Sequence, residues 1–158
     1  MKKLFICILC NLFLCITAHA QIKTFAELYA LRDLPFGKFC ELMKKANFVQ
    51  DKDAETFPKL KSHYFFTPDK KNTDAVSYAK VKDHGVYINY TTSRIGMIKN
   101  VKENLLKEGY TLLADDGDNQ VYTKGKLFFV VTYREFTKVI GYQMGQDFLS
   151  MARFENAE

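Results

Sequence analysis

The chain has 158 residues, 47% of them hydrophobic and 26% charged, with a formal net charge of +5. That apolar content supports a folded core and excludes a disordered tail, and so mild a positive charge excludes the concentrated basic surface of a nucleic-acid-binding domain. After the first twenty residues no stretch is long and apolar enough to predict a membrane-spanning helix.

Residues 1–20 carry an export pattern. Lys2 and Lys3 form a positive start, Leu4 to Thr17 an apolar run broken by Asn11, and Ala18-His19-Ala20 a small-x-small cleavage site. A lipid-anchored alternative needs a small residue before its cysteine, but Cys7, Cys10 and Cys15 follow Ile6, Leu9 and Leu14. The expectation is a cleaved signal peptide over 1–20 and a mature α+β domain over 21–158, in a periplasmic or extracellular location. Only Cys40 would survive cleavage, so no intramolecular disulfide is expected and the fold must rest on its apolar core.

The mature chain begins with Thr24-Phe25-Ala26-Glu27, the pattern of a capping box, which predicts a helix over about Phe25–Leu31. Leu34-Pro35 ends it, because the residue before proline is pushed out of the α region, and Pro35 suits the first turn of a second helix. Phe36, Phe39, Cys40 and Met43 share one face of that helix, and Asn47 is placed to cap its end. Strands are then expected within Phe57–Thr67, over Ala75–Lys82 and over Val86–Thr92, with a turn at Asp83-His84-Gly85.

Ser93 is expected to cap a further helix presenting Ile98, Val101 and Leu105 and ending at Gly109. Strands follow over Tyr110–Ala114, Gln120–Thr123, Leu127–Arg134 and Val139–Met144, joined by Asp115–Asn119, Lys124-Gly125 and Glu135–Lys138. A last helix is expected over about Gln146–Phe154.

Helix then strands thus occurs twice, in halves 21–92 and 93–158. The closest local echo is Leu42-Met43-Lys44-Lys45-Ala46-Asn47-Phe48 against Leu105-Leu106-Lys107-Glu108-Gly109-Tyr110. Tight turns favour antiparallel pairing, so the expected fold is an antiparallel sheet packed on one face by helices, in two tandem α-β-β-β units. This outline resembles the tandem modules of β-lactamase-inhibitor-like folds. The resemblance is one of element order, implies one extended antiparallel sheet, and carries no function with it.

No catalytic, cofactor or metal motif is present, and no cofactor is expected. His63 and His84, with Cys40, make no metal-ligand spacing, and Asp115-Asp116-Gly117-Asp118-Asn119 lacks the twelve-residue frame and terminal glutamate of a calcium loop. The lysines at Lys59–Lys61, Lys70–Lys71 and Lys80–Lys82 read as solvated surface. Phe128-Phe129-Val130-Val131 make both faces of one strand apolar, so the second face is covered within the chain or by a partner.

The functional expectation is a non-catalytic exported binding or protein-interaction module. It would meet another protein or a cell-envelope component, with no nucleic acid, no transmembrane segment and no defined oligomeric state. Tyr87, Tyr90, Tyr133 and Tyr142 are the candidate contacts, because tyrosine joins rigid area to a hydroxyl. The alternative is a small hydrolase or thiol enzyme built on Cys40 and His63.

Overall fold

A computed structural model describes residues 22–52, 62–68, 74–81 and 85–146. The expected signal peptide, His84, Lys59–Lys61, Lys70–Lys71, Lys82 and the last helix beyond residue 146 lie outside the described residues. Helix α1 spans Phe25–Ala30 and runs into a 3-10 turn, Leu31–Asp33; α2 spans Phe36–Lys45 and α3 Val101–Lys107. The strands are β1 (Val49–Asp51), β2 (Ser62–Phe66), β3 (Asp74–Val81), β4 (Gly85–Thr92), β5 (Thr111–Asp115), β6 (Asn119–Lys124), β7 (Leu127–Arg134) and β8 (Val139–Gln146). All eight join one antiparallel sheet in the order β1-β2-β3-β4-β8-β7-β6-β5.

Local chemistry sets the helix ends. Thr24 accepts from the Glu27 amide at 3.2 Å, and the Glu27 carboxylate accepts from the Thr24 amide at 3.0 Å, completing the capping box. The two echoing segments end their helices in the same way. Asn47 and Gly109 take left-handed φ of 62° and 83°, and the amides of Phe48 and Tyr110 each donate 2.9 Å back to Met43 and Leu105. The aromatic after each cap is thereby turned inward, and both are buried.

The expected Ser93 cap is corrected by the structure. Helix α3 starts only at Val101, and Asn100 precedes it in the left-handed region. Residues 93–99 form turns instead, with the Met97 amide donating to the Arg94 carbonyl and Gly96 at φ 77°. Gly96 and Asn100, both at positive φ, interrupt any helix before Val101, and Arg94 is held in an ion pair to Asp74 at the start of β3. Ile98 is still buried, from this connection and not from the helix.

Alternation along the strands gives the sheet two different faces. Register lines up Tyr78, Ile88, Met144, Phe129 and Tyr122 in one row and Phe65, Val76, Tyr90, Tyr142 and Val131 in the next. Phe39 meets Phe65 and Tyr78 with ring centroids 5.4 and 4.9 Å away, and Phe25 meets Phe129 at 6.0 Å. Leu28, Leu31, Met43 and Leu105 join the same core fully buried, each contributing roughly 1.5–3 kcal/mol of transfer free energy. Ala79, Tyr87, Phe128 and Val130 form a second, smaller cluster on the other face. The apolar pairs of β7 therefore are buried on both sides at its start, whereas Tyr133 and Arg134 at its end are exposed.

Two polar knots tie distant segments. The Asp74 carboxylate, almost fully buried, receives the Thr92 hydroxyl at 2.6 Å and pairs with Arg94. Arg32 donates 3.1 Å to the Tyr110 hydroxyl and lies 4.7 Å over the Tyr29 ring, joining the 3-10 turn to the segment after α3. Asp74→Ala removes the buried acceptor that Thr92 and Arg94 share and is expected to cost about 3–5 kcal/mol in urea unfolding. The double change Asp74→Val with Arg94→Met is expected to cost less, and a double variant worse than Asp74→Ala would contradict that account.

Tyr90 shows the opposite case. Its hydroxyl is buried without a hydrogen-bond partner among the described residues. Burial raises its phenol pKa far above the ordinary range, opposed by the nearby Thr92 hydroxyl, which falls short of hydrogen-bond geometry to it. Tyr90→Phe removes an unsatisfied group, so stability is expected to hold or rise by up to about 2 kcal/mol, and a lowered thermal midpoint would show that the hydroxyl is satisfied after all.

Candidate binding surface

On the second sheet face, β8 carries Gly141 and Gly145, which alternation places on the same side. A Cβ at Gly145 would sit 3.1 Å from both the Phe128 ring and the Val86 carbonyl oxygen. Glycine there lets Phe128 lie across the central strand, which closes that end of the face. At Gly141 the nearest atom would be the Thr132 Cβ at 3.8 Å, ordinary contact distance. The missing side chain there leaves a hollow.

That hollow has a volume of about 360 Å³ and crosses β4, β8 and β7. Thr91 and Thr132 pair with Gly141 from either side, and Asn89 and Gln143 pair in the next row. Arg134 and Val139 close the far end beside Thr137. Thr132 donates 2.8 Å to the Asn119 side-chain oxygen, so its orientation is set. Among the described residues, the side chains of Asn89, Thr91 and Gln143 have no hydrogen bond and Arg134 has no ion pair. The surface therefore offers amide donors and acceptors, hydroxyls and one cation.

The rim is the β7–β8 turn, Glu135–Lys138, closed by the Lys138 amide on the Glu135 carbonyl at 3.2 Å. Phe136 at its tip is fully exposed. Register puts Thr92 opposite Ile140, so the segment after β4, with Ile95 also exposed, runs past the same end of the sheet.

The four tyrosines expected as contacts do not form this surface. Tyr90 and Tyr142 are directly paired on the first face, stacked at 6.1 Å and 14°, and are 0% and 1% exposed. Burial pushes the Tyr142 phenol up to about 12. Tyr87 is on the second face but buried against Phe128, with ring centroids 6.0 Å apart. Only Tyr133 is exposed, at 36%. Strand parity is the reason: a side chain one position along a strand changes faces, and composition does not reveal which face is covered. Asn89, Thr91, Thr132, Arg134, Phe136 and Gln143 were missed. The signal for them was the pair Gly141 and Gly145, four residues apart on one side of one strand.

Cys40 packs partly buried against the main core, and burial raises its thiol pKa above the ordinary range. His63 lies with its ring 4.2 Å from Phe36 and its Nδ1 3.3 Å from the Gln50 amide nitrogen. The shift at Cys40 is opposite in sign to the lowered pKa that activates a cysteine nucleophile. The acidic run forms a turn satisfied from within. Asp115 accepts from the Gly117 amide at 3.0 Å, and Asp116 accepts from the amides of Asp118 and Asn119 at 3.1 and 2.6 Å. Among the described residues no group of three His, Cys, Asp or Glu side chains is placed to hold a metal ion.

Iodoacetamide is expected to alkylate folded Cys40 more slowly than a free cysteine at neutral pH, because less thiolate is present. The rate should rise with pH and level off only beyond the ordinary thiol range; rapid labelling at pH 7 would contradict the burial effect. Compared with protein-family models, curated proteins and solved structures, the chain shows no significant match.

Proposed function

We propose that this chain is an exported, non-catalytic binding module that engages a protein partner or cell-envelope component through the hollow at Gly141. The observation that carries the reading is the conjunction at one end of the sheet. Amides and a guanidinium without partners among the described residues line a concavity, and a fully exposed phenylalanine neighbours Thr137 of its lining. A fully solvated phenylalanine at a turn tip gives the fold no burial energy, and exposed aromatic and arginine side chains are the residue types that dominate binding energetics. The raised Cys40 thiol and the engaged His63 ring favour this reading over a thiol enzyme. Export is supported by the pattern over Lys2–Ala20.

In the same reading the two halves are tandem α-β units whose helices share one face, leaving the other for recognition. The identical helix endings at Asn47 and Gly109 and the mirrored strand order support this arrangement.

Affinity capture from the envelope fraction of the source cells tests the site. Phe136→Ser is expected to weaken capture of the partner by roughly thirtyfold, corresponding to about 2 kcal/mol for an anchor residue. Gly141→Val fills the hollow at a position with room for a side chain, so it should abolish capture while leaving the thermal midpoint in place. Undiminished capture by both variants would overturn the assignment of this face.

A further inference from the structure

A second concavity, of about 580 Å³, lies between the start of α1 and the side of α3 and shares no residue with the hollow at Gly141. Lys23, Lys99 and Lys107 converge on it, Asn104 and Thr24 add polar groups, and Phe25, Ala26 and Met97 supply apolar lining. Glu108 is the single carboxylate among the lining residues. None of the three lysines makes an ion pair among the described residues, although the Glu27 carboxylate accepts from the Lys23 amide at 2.8 Å and lies in the field of the Lys23 charge.

The placement of two of these cations has no helical cause. Lys23 immediately precedes the N-cap Thr24, and Lys99 immediately precedes the N-cap Asn100. A cation is disfavoured at that end of a helix, where the dipole and unsatisfied amides already present positive charge. Lys107, in the last turn of α3, is favoured locally and lines the same space. Like charges drawn together around one cleft raise its potential and concentrate anions there. Thr24 and Glu27 already satisfy the start of α1, so recognition falls to the side chains.

From this geometry we infer that the cleft between α1 and α3 binds an amphipathic anion, with the headgroup among Lys23, Lys99 and Lys107 and the apolar body along Phe25 and Met97. The size suits a small ligand, since such sites commonly enclose about 300–1,000 Å³ and pair apolar walls with a few placed polar groups. The headgroup is a carboxylate or a phosphate, and the probes below separate the two.

Isothermal titration calorimetry of the mature protein at low ionic strength, with monomeric dodecanoate, dodecyl phosphate, inorganic phosphate and dodecyl maltoside, tests the site. One equivalent of dodecanoate or dodecyl phosphate is expected to bind, and the tighter of the two identifies the headgroup. The double variant Lys23→Glu with Lys99→Glu should weaken that binding by at least about fivefold, as should raising the salt. Met97→Ser should weaken it without altering the salt dependence. Both lysines are exposed, so the thermal midpoint of the double variant should not fall. Absence of heat with both amphipathic anions, equal binding of dodecyl maltoside, equal binding of inorganic phosphate, or indifference to the double charge reversal would each overturn the inference. Capture through Phe136 is a separate readout, so failure here leaves the face at Gly141 untouched.

Discussion

The pairing of β4 with β8 is the constraint on which the rest of the structure depends. Strands β1 to β4 come from the first half of the chain and β5 to β8 from the second, and this one antiparallel seam makes them a single sheet. Tyr90 opposes Tyr142 at its centre, with Ile88 against Met144 and Thr92 against Ile140 on either side. A slip of β8 by one residue would move Tyr142 to the polar face and carry Gly141 to the core. Burial of large rings on one side therefore specifies the register that opens the hollow on the other.

Two polar knots tie other parts of the fold together. Asp74, Thr92 and Arg94 connect the start of β3, the end of β4 and the turn that follows it. Arg32, Tyr29 and Tyr110 connect the first helical layer to the beginning of the second half. Each knot joins segments that the chain keeps far apart, and each replaces solvation lost on burial with charge-assisted hydrogen bonds. The first lies where β3 starts and β4 ends, and the second beside the start of β5, at the opposite end of the sheet.

Glycine has two opposite uses on β8. At Gly145 its lack of a side chain admits the Phe128 ring, sealing one end of the second face; at Gly141 the same lack leaves a space that nothing described fills. The result is a graded face, apolar and buried at one end and polar and open at the other. The β7–β8 turn extends the open end with Phe136, whose ring contributes nothing to the core. Recognition on such a face would combine hydrogen bonding in the hollow with apolar anchoring at the rim.

What the sequence determined by itself was local. Helix starts and stops at Thr24, Asn47 and Gly109, the turns at Gly85, Gly117 and Gly125, and the amphipathic face of α2 follow from interactions a few residues long, so they are legible without the fold. The antiparallel α+β architecture was legible for the same reason, since short turns between alternating strands leave few other pairings. Ser93 misled because the backbone turns at Gly96 and Asn100 before the helix begins, while Arg94 is tied to Asp74 on the neighbouring strand. The tyrosines misled because burial belongs to a face and not to a residue type. Only tertiary structure decided which parity of each strand lies under helical side chains. It alone brought Asn89, Thr132, Arg134 and Gln143, separated along the chain, around one missing side chain at Gly141. The hollow exists only after three strands have chosen their register, and no single stretch of sequence contains it.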